Sequence, residues 1–364
     1  MGKTDLVMTT ANDRALQLNQ DTIVVDGLNA VYPGEFNENY LHSLKAGGVA
    51  AIKVTIPDVE CFSLSQAVRE LAEWFQRLRG FEPSKMRLVK TVEEIRRAKQ
   101  DGVVAVILGS QAAGFLGLNL SNLDFFERLG MRTMQPTYQR RNQFGSGCSE
   151  KKDDGLSSLG VEWVEAMNKL RMVISLSHVG YETSMQVMEV SRDPVVYDHS
   201  NSKVLCNHIR NITDEQMRVC AEKDGVIGLT ALGMFVSNDK KPSELGVADY
   251  IRHIDYAVNL VGVDHVGLGL DFAENHCKTA ESILEDRRML PGLVSKYVKE
   301  IEDNFLKSGR EKLYFHEIHM PWLKSMSQMP TITEALLGRG YSEQDVKKIL
   351  GENFLRVFER VWGN

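Results

Sequence analysis

Short apolar runs alternate with segments of helical periodicity along most of the chain. Eight runs rich in Val and Ile predict β-strands, at residues 22–26, 50–55, 103–108, 131–136, 172–176, 194–197, 225–229 and 265–270. The runs show little polar alternation, as is typical of parallel strands buried on both faces. Apolar residues that recur every three to four positions predict helices between them, at 63–79, 92–100, 122–129, 160–170, 181–191, 213–223 and 248–261. Eight strands that alternate with helices indicate an α/β protein, a (β/α)8 TIM barrel.

Three further segments extend this pattern. Residues 139–158 are polar and rich in glycine, and because they follow the fourth predicted strand we expect an active-site loop. Residues 277–329 are charged and partly helical, which predicts a helical insertion after the eighth strand. Residues 343–362 carry a strong period of 3.6 and predict a C-terminal helix that docks on the barrel. We therefore expect one barrel domain that spans residues 1–364.

Composition narrows the class of protein and of partner. The chain of 364 residues carries a net charge of -6, which argues against a nucleic-acid partner, since that would need a basic surface. Neither a signal-peptide pattern nor an apolar run of membrane-spanning length is present, so we expect a cytoplasmic protein without membrane contact. The five cysteines never form a C-x-x-C pair, which indicates reduced thiols.

Two histidines stand where apolar runs end. His178 closes the run 172–178, and His199 follows the run 194–197. A barrel enzyme places functional side chains at the carboxyl ends of its strands, where an imidazole can bind a metal ion. Two such histidines, on strands joined by one helix, could converge on one ion. Asp198 adjoins His199, and alternation along a strand predicts that it points to the opposite face.

Several motifs together resemble a known family. They are Leu176-Ser-His178-Val, Asp198-His199-Ser200, Cys206-Asn-His-Ile-Arg210-Asn211-Ile, Gly267-Leu-Gly-Leu-Asp271-Phe272 and Gly351-Glu-Asn353-Phe-Leu-Arg356-Val-Phe. In order and spacing the chain resembles the membrane dipeptidase (renal dipeptidase) family of the amidohydrolase superfamily. The resemblance implies a TIM barrel, a homodimer, and hydrolysis of dipeptides or related amides with two divalent metals.

Four residues match functional positions of that family. By this resemblance, His178 and His199 are the histidines of the second metal site. Asp271 is the carboxylate after strand eight that moves a proton, and Arg210 is the arginine that anchors the substrate carboxylate.

The other metal site departs from the family. Leu28 and Ala30 replace the two ligands of a His-x-Asp motif, and Gln111 replaces the glutamate that bridges the two ions. Tyr138 stands where the family has a further histidine. Because a neutral amide cannot offset two adjacent divalent charges, a binuclear centre is not expected.

We therefore predict a hydrolase of a small amino-acid-derived amide or dipeptide that binds at most one divalent metal ion, zinc if any, through His178 and His199. Asp271 is the predicted general acid/base. Arg210, Tyr138 and Gln111 are predicted to bind the substrate, a small molecule.

Two alternatives use the same pocket. One is a metal-free pseudoenzyme or binding protein. The other is a lyase or isomerase of a biosynthetic pathway, in which imidazoles and a carboxylate act as acid/base groups without metal. The motif His316-Glu-Ile-His319 has metal-ligating residue types, but we interpret it as part of a solvated helix.

Overall fold

The protein is described here by a computed structural model that covers residues 13–57, 61–81, 85–272, 274–289, 296–318 and 320–363. Eight parallel strands form one curved sheet in the order β1-β2-β4-β5-β6-β7-β8-β9, and β3 pairs with the beginning of β4. The strands are β1 (Val24–Asp26), β2 (Val49–Thr55), β3 (Met86–Leu88), β4 (Val104–Ser110), β5 (Met131–Met134), β6 (Val173–Ser175), β7 (Val195–Tyr197), β8 (Val226–Leu229) and β9 (Val266–Leu268). All eight predicted strands are present, which confirms the TIM barrel; β3 was not predicted.

Individual contacts between the segments after β1 and β9 close the barrel. Gly27 donates its N–H to the carbonyl of Leu268 at 2.8 Å, and Asn29 forms an isolated parallel bridge with Phe272. The N–H of Asp271 donates to the carbonyl of Leu28 at 2.9 Å. These contacts form a seam between residues 27–29 and 268–272, which fixes Asp271 at the rim of the barrel.

Helices surround the barrel and fill the connections between its strands. They are α1 (Asp13–Asp21), α2 (Glu38–Ala46), α3 (Leu64–Arg79), α4 (Val92–Gln100), α5 (Ser121–Arg128), α6 (Ser158–Lys169), α7 (Tyr181–Val190), α8 (Asp214–Glu222), α9 (Gly233–Val236), α10 (Val247–Val261), α11 (Ala280–Met289), α12 (Lys296–Ser308), α13 (Phe315–Ile318), α14 (Pro330–Gly338), α15 (Glu343–Lys347) and α16 (Asn353–Trp362). Side-chain caps fix where several begin: Thr91 and Thr213 both form capping boxes with the residue three positions later.

The C-terminal segment differs from the predicted single helix. A π-helical turn at Lys348–Glu352, with non-helical backbone at Gly351, separates α15 from α16. Helix α16 packs against β6, β8 and β9. Its fully buried Phe354 belongs to the same apolar cluster as Val25, Val196 and Val226 of the barrel. The last helix thus contributes side chains to the barrel core, which a period of 3.6 alone does not reveal.

The segment after β9 builds a small unit of its own. The antiparallel strands β10 (Cys277–Lys278) and β11 (Leu313–Tyr314) pair beside α11, α12 and α13. A separate apolar cluster, which includes Ile283 and Phe305, holds these elements to α9. His316 is half-buried in α13, and His319 lies outside the described residues. Within the parts of the chain that the structure covers, no helix has the length and apolarity needed to cross a membrane.

Candidate active site

The two histidines predicted from the sequence meet at the barrel mouth. The Nε2 atoms of His178 and His199 lie 2.8 Å apart, and both side chains are buried. Their ring centroids are 4.8 Å apart, with the ring planes at 54°. This separation places the two imidazoles in direct hydrogen-bond contact.

His178 is held from both sides. Its backbone has a φ of 68°, a left-handed conformation that is uncommon for a residue with a side chain and is often found at functional sites. The ring of Tyr138 stacks on the imidazole at a centroid distance of 3.9 Å. The N–H of Cys148, in the predicted active-site loop, donates to the His178 carbonyl at 2.7 Å. Tyr138 and this loop therefore cover the histidine.

The side chain of Asp198 contacts His199, so the prediction that it points away was wrong. Its Oδ1 lies 2.6 Å from Nδ1 of His199. Strand β7 ends at Tyr197, so strict alternation no longer applies at the next two residues. The backbone of Asp198 can approach Gly269 closely only because this residue has no side chain: a Cβ there would lie 1.6 Å from the Asp198 carbonyl oxygen.

A buried lysine completes the cluster, and sequence reasoning missed it. Lys53 lies on β2 and donates from Nζ to Oδ2 of Asp198 at 2.6 Å. Both side chains are almost completely buried. Gly109 on the neighbouring strand makes space, since a Cβ there would lie 2.5 Å from Cε of Lys53. A lysine inside an apolar strand was the available signal, because buried ammonium groups need a partner.

Burial and the local charges set the protonation of this cluster. Burial disfavours charge on Asp198, but the Lys53 ammonium and His199 outweigh it and hold the pKa of the carboxyl below its ordinary value. Burial lowers the pKa of His199 to about 4, although Asp198 opposes that change. Burial, together with the positive charge of Arg210, lowers the pKa of His178 well below its ordinary value. The cluster therefore contains a lysine–aspartate ion pair beside two neutral imidazoles.

Asp271 lies at the mouth with a raised pKa. Its backbone is also left-handed, with a φ of 55°. Burial raises the pKa of its carboxyl to about 7, against the opposing effect of Arg210 and with a further increase from Asp198. A group that changes charge near neutral pH is suited to general acid/base chemistry.

Arg210 is buried, and only some of its N–H groups have hydrogen-bond partners among the described residues. Its Nη2 donates to the carbonyl of His199 at 2.9 Å, and its guanidinium lies over the ring of Phe235 at 5.2 Å. Nε has no hydrogen-bond partner among the residues that the structure describes. A cavity of about 240 Å³ is lined in part by Arg210 and His178. The arginine is thus fixed in orientation and retains a donor.

Two glutamines follow neighbouring strands. Gln111, after β4, donates from Nε2 to Oγ1 of Thr55 at 2.9 Å. Gln135, after β5, donates from Nε2 to the carbonyl of Ser177 at 2.5 Å. Within the described part of the chain, the buried Oε1 atom of each has no partner. Sequence reasoning identified Gln111 and missed Gln135.

A second carboxyl with a raised pKa lies beneath the contacts that close the barrel. Asp26 accepts hydrogen bonds from the N–H of Leu270 at 2.8 Å and from Nδ2 of Asn29 at 2.9 Å. The hydroxyl of Tyr40 donates in turn to Oδ1 of Asn29. Burial raises the pKa of Asp26 to about 7, against the effect of these hydrogen bonds. Its side chain therefore titrates near neutral pH at the base of the site.

The donor set does not fit a binuclear metal centre. Leu28 is fully buried and, like Ala30, offers no lone pair from its side chain. Gln111 is neutral, and its amide nitrogen is already bound to Thr55. Across residues 13–363, leaving aside the undescribed gaps, no group of three His, Cys, Asp or Glu side chains is arranged to hold a metal ion. Among the described residues at the mouth, His178 and His199 are two imidazoles whose Nε2 atoms lie together.

Proteins of known sequence resemble this chain over most of its length. An uncharacterized protein from the pqqA 5′ region of Klebsiella pneumoniae is 28% identical over 285 residues, which cover 76% of this chain and 90% of that protein. Dipeptidase tcpJ of Claviceps purpurea is 26% identical over 79% of this chain, and dipeptidase aclJ of Aspergillus oryzae is 29% identical over 70%. The matches span 58% and 51% of those two fungal proteins.

Solved structures share the fold. An amidohydrolase from Pseudomonas aeruginosa superposes with a TM-score of 0.80 at 29% identity, over 96% of this chain and 99% of that one. A metallopeptidase from Rhodobacter sphaeroides, solved with a phosphinate mimic of L-Ala-D-Ala, gives 0.73 at 22% identity, over 94% and 100% of the two chains. The model of the membrane dipeptidase family matches residues 8–307 and 316–362. The chain therefore belongs to the membrane dipeptidase family, peptidase family M19, whose dipeptidases are metal-dependent hydrolases.

Proposed function

We propose that this protein hydrolyses a small amino-acid-derived amide or dipeptide at a centre that holds at most one divalent ion. The observation that carries the proposal is Asp271, a carboxyl with a pKa of about 7 at the barrel mouth, close to the charge of Arg210. The family to which the chain belongs supports hydrolysis. The loss of donors at positions 28, 30 and 111 supports the low metal count.

Arg210 is the proposed anchor of a substrate carboxylate. A guanidinium is a fixed planar donor that suits carboxylates, and this one is held by His199 and Phe235. Because the side chain is already ordered, binding of a carboxylate costs little additional side-chain entropy. Tyr138 and Gln111 are the proposed side walls of the substrate site.

Asp271 is the proposed general acid/base. In hydrolysis its carboxylate accepts a proton from the attacking water, the water oxygen bonds to the amide carbon, and the carboxyl then returns the proton to the leaving nitrogen as the C–N bond breaks. A pKa of about 7 serves both directions of transfer at neutral pH.

A single ion, zinc by the preference of its ligands, would be held by His178 and His199. When bound, it would supply Lewis-acid polarisation of the scissile carbonyl or of water. The proton transfers assigned to Asp271 belong to the protein alone.

A second candidate is metal-free acid/base chemistry in the same pocket, such as a lyase or isomerase step. The direct contact of 2.8 Å between the two imidazoles favours it, because both Nε2 atoms are engaged with each other. Chelation distinguishes the two: hydrolysis that depends on an ion is lost with EDTA and returns with zinc, whereas the metal-free reaction persists.

The test is a panel of dipeptides, N-acyl amino acids and dehydrodipeptides followed by mass spectrometry. We expect amide cleavage by the wild type and loss of cleavage in Asp271→Asn. Arg210→Met should raise KM for substrates with a free carboxylate and leave their amidated forms unaffected. The matched control Arg192→Met, at a largely exposed side chain, should be silent. Ligand binding without turnover of any panel member would contradict the proposal and support a binding protein.

A further inference from the structure

The geometry points to a fixed order of protons along four buried side chains, Lys53, Asp198, His199 and His178. In this arrangement Lys53 and Asp198 are positioning residues: they fix the tautomers of both imidazoles and leave Nδ1 of His178 as an acceptor for an N–H or O–H group of the ligand. The assignment of that acceptor to substrate rests on the proposed function. The order of protons does not.

The order begins at the ion pair. An ionised carboxylate can only accept hydrogen bonds, and Asp198 accepts one from Nζ of Lys53 at 2.6 Å. Its other oxygen lies 2.6 Å from Nδ1 of His199. Nδ1 must therefore carry the proton and donate to Asp198.

The second step fixes His178. His199 is fully buried, and Lys53 already balances the charge of Asp198, so a further positive charge on the ring would have no counter-ion. A neutral His199 with its proton on Nδ1 has a lone pair on Nε2. The contact of 2.8 Å to Nε2 of His178 then requires that His178 donate. His178, also neutral, keeps its lone pair on Nδ1.

The described part of the protein leaves that lone pair without a donor. Nδ1 of His178 is buried and has no hydrogen-bond partner among the described residues. A buried acceptor without a donor costs free energy, and a ligand that supplies the donor recovers it. Nε of Arg210 is a buried donor in the same condition, again counting only described partners. His178 and Arg210 both line the cavity of about 240 Å³, where a small molecule with a carboxylate and an N–H or O–H group would supply both missing partners.

The distance between the two imidazoles also indicates whether a metal ion joins them. A tetrahedral zinc ion with Zn–N bonds of about 2.0–2.1 Å holds two ligand nitrogens about 3.3 Å apart. The observed separation of 2.8 Å is that of a hydrogen bond. In this arrangement a proton, not an ion, joins the two rings. The lysine and aspartate thus stabilise a metal-free form of a histidine pair.

The test is ¹⁵N NMR of the imidazole nitrogens in histidine-labelled protein, with His178→Gln and His199→Gln to assign the signals. We expect His199 as the Nδ1–H tautomer and His178 as the Nε2–H tautomer. His253 is the internal reference, because its Nε2 lies 3.0 Å from the Val236 carbonyl and its Nδ1 accepts from the N–H of Ser202, which fixes its Nε2–H tautomer.

The variant Asp198→Asn tests the role of Asp198 in fixing the tautomers most directly. Lys53 should donate a hydrogen bond to the amide oxygen, so that the amide N–H₂ faces Nδ1 of His199. Both tautomers should then invert, to Nε2–H in His199 and Nδ1–H in His178, while His253 stays unchanged. Asp21→Asn, on the exposed surface, is the matched control and should change none of the three. A change in the spectrum that spared these two tautomers would indicate a merely structural role for Asp198 and would overturn the inference.

If the variant does not fold, the spectrum of the wild-type protein alone still tests the proton order. An Nδ1–H tautomer or a charged ring at His178 would contradict the proton order. So would signals of the two rings that change on treatment with EDTA, since an ion would then join them. That last result would leave the proposed hydrolysis with one metal intact, whereas failure of every substrate would leave the tautomers unaffected.

Discussion

Asp271 combines a left-handed backbone, partial burial and a raised pKa at one residue. Its pKa of about 7 lies above the ordinary 3.8, so the carboxyl exchanges its proton near neutral pH. We predict that Asp271→Asn lowers kcat by about 10²–10⁴-fold, the usual contribution of a general acid/base, with a small effect on KM. The profile of kcat/KM against pH should lose its ionisation near pH 7. A variant with wild-type kcat would contradict the assignment.

Asp26 offers a test of burial in a group that no proposed step uses. Its pKa in the folded protein is about 7, above the ordinary 3.8, so the folded state binds the proton more tightly than the unfolded state. Stability from this group is therefore complete below about pH 4 and is lost as the pH rises to about 7. The loss is at most about 1.4 kcal/mol per pH unit in this range.

The variant Asp26→Asn isolates that effect, because its amide cannot ionise. We predict that its free energy of unfolding, relative to wild type, rises between pH 5 and pH 7 and is constant above pH 8. Denaturant titration of both proteins at each pH measures the difference, in which other titrating groups cancel. A difference that does not depend on pH would show that Asp26 remains ionised when folded.

At the scale of single residues, the sequence indicated the groups that end apolar runs and missed those whose partners are remote. His178, His199 and Asp271 follow predicted strands, and their positions at the mouth follow from strand direction alone. Lys53 and Asp198 are 145 positions apart in the chain. Their pairing depends on two non-adjacent strands that face each other across the barrel, and no local pattern contains that information.

Chain segments at the mouth depend on small residues that follow other strands of the barrel. Gly269 faces the carbonyl oxygen of Asp198 so closely that a methyl group there would overlap it. We predict that Gly269→Ala destabilises the protein by at least about 1–3 kcal/mol, the usual cost of overpacking, and disturbs the histidine pair. Thermal unfolding and the imidazole NMR signals measure the two effects.

The matched control is Gly338→Ala at the end of α14, where a Cβ would meet no described atom within 4 Å. There the higher helix propensity of alanine should leave stability unchanged or raise it by up to about 1 kcal/mol. Equal effects at the two positions would show that the close approach at Gly269 is not rigid.

Helix α16 is an element whose role the sequence described only in part. Its buried Phe354 packs with residues inside the barrel. We predict that Phe354→Ala lowers the free energy of unfolding by about 3–5 kcal/mol, since it leaves a cavity in a packed core. Phe62→Ala, at a ring that is 59% exposed, should change stability by less than about 0.5 kcal/mol. Denaturant unfolding that ranked the two variants alike would contradict this packing.

The helix boundaries followed the sequence where caps and period agree. The prediction for α4 is correct at both ends, because a capping box at Thr91 marks its start. The segment 343–362 kept its period through a π-helical turn, so the break at Gly351 was not visible in the pattern. Periodicity reports which face is buried, and it does not report a change of helix type.

For the whole molecule, the barrel fold and the side chains at its mouth support different conclusions. Eight parallel strands place His178, His199, Arg210 and Asp271 together, as the family would lead one to expect. Leu28, Ala30 and Gln111 offer neither an imidazole nor a carboxylate for a second ion. An ion pair from Lys53 and Asp198 lies beside the remaining histidines instead. We therefore propose that the site holds at most one metal ion.

The most direct test is the metal content of protein purified without chelator, measured by inductively coupled plasma mass spectrometry together with the protein concentration. We predict one divalent ion or fewer per chain, and a value that does not exceed one after incubation with excess zinc and gel filtration. The variant His199→Ala serves as the control, because any ion that the pair holds should be lost with it. Two tightly bound ions per wild-type chain would contradict the account.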